Sequence, residues 1–298
     1  MKRPTLALLL VSAAFFGGCV QPPPKTPPVA LAQLVAEYNA NAEPVTTLFA
    51  KANISINVRG EHPFSWSTPY GTLMLGKGPS LLGPGNFVLI GRESTVEVFR
   101  LGTNIEQNSY YLWGSFGDKG KAWIGRLDLA GAPGIKEIPL DPTQLISVLC
   151  VNELPQDLTK LPALGMTIQN VPGEYAYVVT YIDRQPLSNR ILFRREVYFR
   201  WSDTLPRQAY KVCLIDETGR RVMTAMLKNY KPIKMDEGYS GPASTMPSDI
   251  DIDWPGKARI HLMLSNMTIG RGDPAEASRL ELPPAIHDVV RVDENVAP

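Results

Sequence analysis

From Val45 onward the apolar residues of this chain recur at every second position, and that period restricts the fold more than any other feature. Ala52, Ile54, Ile56 and Val58 alternate with Asn53, Ser55, Asn57 and Arg59, which is the pattern of a strand with one buried face. The runs "FSWS", "GTLMLG", "NFVLIG", "STVEVFRLG", "YYLWGSFG" and "KAWIGRLD" follow, separated by glycine, proline or polar turns. Short strands at such spacing predict an antiparallel sheet or barrel. Further on, "EYAYVVTYID", "SNRILFRREVYFRWSD", "RQAYKVCLID" and "RVMTAMLKNYKPI" read as a meander, with "DETGR" as a hairpin turn. "GYSGPASTMPSD" reads as a loop and "IDIDWPGKARIHLMLSNMTIG" as two closing strands. The proline-rich C-terminus from Leu282 is expected to lie along the surface or to be loose.

Two segments keep a helical period instead. Over Val29–Asn39, Leu31, Leu34, Val35 and Tyr38 share one face at i, i+3, i+4 and i+7, and "NANAEP" ends the pattern. The second helix has a marked start. Asp141 suits the N-cap, Pro142 the first helical position, and Gln144 stands three residues after the cap. Leu145, Ile146, Leu149 and Cys150 form its inner stripe before "ELPQ" closes it.

The first 28 residues do not belong to this pattern. Lys2 and Arg3 precede an apolar run, Leu6–Phe16, that is too short to span a bilayer, and Gly17-Gly18 supply small residues for a processing enzyme. Residues 1–18 therefore read as an export signal, and Phe15-Phe16-Gly17-Gly18-Cys19 looks like a bacterial lipobox, in which Cys19 becomes the lipidated first residue. One acyl chain holds only marginally whereas two or three hold firmly. Residues 19–30, with five prolines between Gln21 and Pro28, read as an extended tether. Residue 20 is Val and not Asp, so an outer-membrane anchor facing the periplasm is expected. Residues 31–298 are left as a single β domain.

Charge and cysteine content narrow the function classes. Without Lys2 and Arg3 the chain carries 28 basic against 29 acidic residues, and nothing in that balance calls for nucleic acid. No later segment is apolar for long enough to cross a membrane. With Cys19 assigned to lipid, Cys150 and Cys213 remain, and two readings stay open: a disulfide, which an envelope location allows, or two buried thiols. His62, His261 and His287 stand singly and no Cys or His pair has ligand spacing, so no metal and no cofactor is expected.

Catalytic motifs are likewise lacking. "GKGPS" at 76–80 has neither the spacing nor the ending of a phosphate-binding loop, no G-x-S-x-G elbow occurs, and "RGD" at 271–273 is a tripeptide that chance supplies. Asp249, Asp251 and Asp253 fall on one strand face and read as solvated carboxylates. The expectation is a protein that is not an enzyme.

What remains is an apolar, aromatic β domain. Phe64, Trp66, Leu73, Leu75, Phe87, Leu89, Tyr111, Trp113 and Trp123 lie in the alternating strands, where they either fill a core or line a cavity for an apolar ligand. Core filling is the default. Taken in order, "LVAEYNANAEPVTTLFAKANISINVRG", "GTLMLGKGPSLLG", "VEVFRLGTNIEQNSYYLWG" and "DPTQLISVLCVNELP" resemble the LolA/LolB superfamily of bacterial lipoprotein carriers and receptors. The likeness runs over about residues 31–270 in element order. It implies a mainly β (α+β) fold, a curved half-open antiparallel β-barrel with helices covering its concave side. It implies further that the concavity accepts acyl chains of lipids or lipoproteins, and it points to Leu34, Phe64, Trp66, Leu73, Leu75, Phe87, Leu89, Trp113, Leu145 and Leu149 as lining residues. The alternative is a structural or assembly lipoprotein with a filled barrel that binds an envelope protein.

Overall fold

The computed structural model of the 298-residue chain describes residues 24–296, apart from 60–62, 79–84, 116–119, 133, 137, 150, 158–162, 172–173, 185–190, 202–206, 236 and 238. The export signal, Cys19 and Cys150 lie outside the described residues.

The period of two predicts strands, and strands dominate. In chain order they are β1 (Thr47–Val58), β2 (Phe64–Gly76), β3 (Asn86–Glu93), β4 (Val96–Asn104), β5 (Ser109–Gly114), β6 (Gly120–Arg126), β7 (Gly165–Val171), β8 (Glu174–Arg184), β9 (Ile191–Arg200), β10 (Ala209–Ile215), β11 (Arg221–Pro232), β12 (Thr245–Trp254), β13 (Ala258–Thr268) and β14 (Ile286–Arg291). They form one sheet in the order β14-β6-β5-β4-β3-β2-β1-β13-β12-β11-β10-β9-β8-β7. Neighbours are antiparallel except at β14, which runs parallel to β6. The sheet curls but does not close, since β7 and β14 end it without meeting. This is the half-open barrel implied by the resemblance.

Several strands differ from their sequence reading. "FSWS" and "GTLMLG" belong to one 13-residue strand, β2, whose register against β1 shifts between Ala52 and Ile54. Such a bulge lets a long strand bend without losing its partner. The "GYSGPASTMPSD" segment becomes strand at Thr245. The C-terminus is neither loose nor merely surface-lying: Ile286–Arg291 adds a strand to the edge of β6. The meander turn is as expected, with Asp216 Oδ1 accepting from the N–H groups of Thr218 and Arg220 and Gly219 at φ +82°.

Among the described residues three α-helices accompany the sheet: α1 (Leu31–Ala42), α2 (Pro142–Val148) and α3 (Pro274–Ala277). At α2 the predicted cap is present. Asp141 Oδ1 accepts from the Thr143 N–H at 2.9 Å and the Thr143 hydroxyl at 2.7 Å, and Asp141 Oδ2 from Gln144 Nε2 at 3.2 Å. By contrast, α1 starts at Ala30 with no side-chain cap and has no charged residue placed to oppose its dipole. A twelve-residue helix of this kind is marginal by itself, so its stability comes from what it packs against.

The two faces of the sheet bury different things. Alternate residues of nearly every strand, with Leu34, Val35, Tyr38 and Ala42 of α1 and Leu145, Ile146 and Val148 of α2, make one continuous apolar cluster on the concave side. On the convex side, Tyr111, Trp113, Ala122, Ile124 and Ile286 form a separate small cluster, and Met74, Val88 and Ile90 another. The C-terminal segment covers these two. Tyr111 Oη donates to the Ser278 carbonyl at 2.8 Å, and Asn104 Nδ2 donates to the Ala275 carbonyl at 2.7 Å.

Candidate functional site

The concave side is the natural candidate, because its wall is largely apolar across the sheet and, among the described residues, α1, α2 and the segments on either side of α2 pack against it. Leu34, Leu73, Leu75, Phe87, Leu89, Leu145 and Leu149 are brought together there, each at most 1% exposed. Phe64 and Trp66 are half-buried at its margin. The Trp66 ring lies 5.8 Å from Phe99, centroid to centroid, and its Nε1 donates to Glu93 Oε1 at 3.2 Å. Room for that ring depends on Gly91, where a Cβ would stand 2.1 Å from the indole.

Trp113 is placed elsewhere. In β5 the concave face takes Tyr110 and Leu112, so strict alternation turns Tyr111 and Trp113 outward, beneath the C-terminal segment. It does not line the concavity. An aromatic residue in a run that is buried on both faces gives no periodic signal of its side.

Among the described residues, the apolar side chains of the concave wall, α1 and α2 bury one another. Beside α1 there is a crevice of about 20 Å³ lined by Tyr38, Asn41, Arg207, Ala209, Tyr230 and Thr245. That is room for about one water molecule and none for an acyl chain.

What holds α1 down is polar and lies at its rim. Asn39 is buried, its Nδ2 donating to the Leu154 carbonyl at 2.7 Å and its Oδ1 accepting from the Leu154 N–H at 2.8 Å. Asn41 repeats the device on Thr245, with bonds of 2.9 and 2.7 Å. Tyr38 Oη donates to the Asn152 carbonyl at 2.9 Å, and Glu37 pairs with Arg207 at 2.6 Å. Lys77, at the end of β2, pairs with Glu153 and donates to the Ala42 carbonyl at 2.6 Å, tying the last turn of α1 to the segment after α2. Burial holds the Lys77 ammonium below its ordinary pKa, with Glu153 opposing. None of these partners was evident from spacing, since each joins residues far apart in the chain.

A buried charge also sits on the wall. Arg195 of β9 is 6% exposed, its Nη1 donates to Tyr181 Oη at 2.8 Å, and its guanidinium lies 5.2 Å from that ring. Cys213 points the other way, into a convex cluster with Val178, Tyr198 and Tyr210. Its thiol is free, 3.8 Å from Thr224 Oγ1, and burial pushes its pKa up.

No helix among the described residues is long and apolar enough to cross a membrane. No protein-family model matches the chain, and no curated protein does. Among solved structures it is similar to a putative outer membrane lipoprotein-sorting protein domain from Vibrio parahaemolyticus, at 11% identity over 83% of this chain and 95% of that one, with a TM-score of 0.46. It is also similar to a LolA superfamily protein from Nitrosomonas europaea, at 13% identity over 85% and 99% with a TM-score of 0.44, and to a DUF1329 family protein from Desulfovibrio piger, at 13% over 80% and 94% with a TM-score of 0.40.

Proposed function

We propose that this chain is a non-enzymatic lipoprotein of the bacterial envelope, anchored through Cys19 in the outer membrane, that takes acyl chains of a lipid or lipoprotein into the concavity of its half-open barrel. One observation supports this most: a continuous apolar wall spans the sheet, and the helix over it is held by hydrogen bonds at its rim. When α1 lifts, water replaces those polar bonds at little net loss. The contacts of Leu34, Val35 and Tyr38 are given up, at about 1.5–3 kcal/mol for each large apolar side chain exposed, and an incoming acyl chain restores apolar cover to the wall. The exchange needs no covalent chemistry, and its direction follows from the relative burial of the chain in donor and acceptor.

The test fixes α1 in place. In an Asn41→Cys/Thr245→Cys pair, oxidation is expected to abolish uptake of a fluorescent fatty acid and reduction to restore it, while Cys19→Ser releases the chain from the membrane. Equal uptake by the oxidised and reduced forms, or none by the unmodified chain, overturns the reading.

The mutual burial of the described side chains on the concave side favours a second reading, an envelope lipoprotein with a permanent core that binds a protein partner. In that case the chain takes up no fatty acid, and crosslinking captures one stoichiometric envelope protein in its place.

A further inference from the structure

Strands β12 and β13 bring three metal-ligating side chains to one point of the convex face, on the side of the sheet away from α1 and α2. Asp249 and Asp251 stand two apart on β12 and so point the same way. His261 of β13 lies directly opposite Asp251 in the register. The three side chains place one donor atom each within 4.8 Å of one another.

The two carboxylates are held in a particular manner. His261 Nε2 faces Asp249 Oδ1 at 3.0 Å and Asp251 Oδ1 at 3.8 Å. The other oxygens are turned outward to partners on β11: Asp251 Oδ2 accepts from Lys228 Nζ at 2.6 Å, and Asp249 Oδ2 from Asn229 Nδ2 at 3.2 Å. Each carboxylate thus has one oxygen engaged by a supporting donor and one converging on the imidazole. Outer partners of this sort are what orient ligands at metal centres. Both strands are interior to the sheet and paired on either side, so the backbone positions are rigid.

We propose that Asp249, Asp251 and His261 bind one divalent cation of the zinc class, with solvent completing the coordination. Ligands at about 2.1 Å in a tetrahedron stand about 3.4 Å apart, so the observed separations of 3.0 and 3.8 Å need only small side-chain rotations. One imidazole nitrogen with two monodentate carboxylates suits zinc, cobalt or nickel. Calcium takes six to eight oxygens and magnesium keeps most of its water, so this donor set selects against both. The side chains are 26–47% exposed, which leaves a path for the ion.

The test is a calorimetric titration of the full chain in detergent with zinc chloride, repeated with cobalt chloride, whose visible absorption reports coordination. One ion per chain is expected. His261→Ala should abolish binding, Asp249→Asn and Asp251→Asn should each weaken it at least tenfold, and His287→Ala, on β14, should leave it unchanged. All four positions face solvent, and an unaltered circular dichroism spectrum identifies variants that keep the fold. Absence of stoichiometric binding, or binding by His261→Ala equal to that of the unmodified chain, overturns the site. Displacement of cobalt by equimolar calcium overturns the choice of metal.

Discussion

Asn39 and Leu154 bond as two strands of a sheet do, with a side-chain amide of α1 standing in for one backbone: Nδ2 donates to the Leu154 carbonyl and Oδ1 accepts from its N–H. The pair joins residues 115 positions apart and lies out of contact with water. Asn39→Ala leaves both backbone groups without a partner. An unsatisfied buried group costs about 1–3 kcal/mol, so the variant should lose about 2–4 kcal/mol in urea denaturation. Because the bond ties α1 down, the same variant should take up a fluorescent fatty acid faster than the unmodified chain. Lower stability with unchanged uptake kinetics would mean that α1 is only a structural cover.

A second prediction separates capping from charge at Asp141. Burial raises the pKa of this carboxyl, and the hydrogen bonds from Thr143 and Gln144 only partly offset the rise. A carboxyl with a folded-state pKa above its unfolded value binds more protons when folded, so its contribution falls as pH rises from the ordinary aspartate range through the raised value. Asp141→Asn retains a good cap without the charge. It should therefore be at least as stable as the parent at pH 7, with the difference shrinking towards pH 4. Asp141→Ala loses the cap and about 1 kcal/mol at either pH. Urea midpoints of the three chains at the two pH values provide the check.

How much of this was legible beforehand follows from the range of each interaction. Local signals read true: the alternation of Ala52–Val58, the cap at Asp141 and the turn at Asp216 are each determined within a few residues. β7 carries no such local signal: its residues from Thr167 to Asn170 are exposed, so "GMTIQNV" lacks the apolar alternation that marks a half-buried strand. β14 was missed because its partner β6 precedes it by more than 150 residues and supplies the edge that orders it. The ties on α1 and the approach of His261 to Asp249 and Asp251 are cross-strand or long-range contacts, so no spacing along the chain encodes them, although the spacing of two does place the carboxylates on one face. Of the lining residues, those on strands with a clear inward parity were placed together, and Trp113, in a strand buried on both faces, was not.

That difference of face can be measured. Trp113→Ala removes a side chain that is 1% exposed and should cost about 3–5 kcal/mol. The loss falls on the convex cluster with Tyr111, Ile124 and Ile286, so proteolysis should begin in the C-terminal segment while fatty-acid uptake by the folded fraction stays as before. Leu89→Ala, at a fully buried concave position, should cost about 2–5 kcal/mol. It also opens space against the wall, and should raise the affinity for the probe. Similar effects of the two variants on uptake would show that the faces are not functionally distinct.

The last prediction concerns the margin of the concavity, where Gly91 of β3 and Trp66 of β2 share one volume. A Cβ at residue 91 would stand 2.1 Å from one indole carbon and 2.7 Å from another, far inside contact distance. The glycine stands where the β3–β4 register shifts, but its φ is not positive, so its backbone conformation does not require a glycine; the indole does. Gly91→Ala must push the Trp66 ring outward, break its 3.2 Å bond to Glu93 and part it from Phe99. Overpacking of this kind costs about 1–3 kcal/mol. Since the ring can leave toward solvent, the lower half of that range is expected, with a red shift of the tryptophan emission. In Gly91→Ala/Trp66→Ala the clash is gone, so the second substitution should cost less in the Gly91→Ala chain than in the parent. Additive losses in a double-mutant cycle would show that the glycine serves the strand and not the indole.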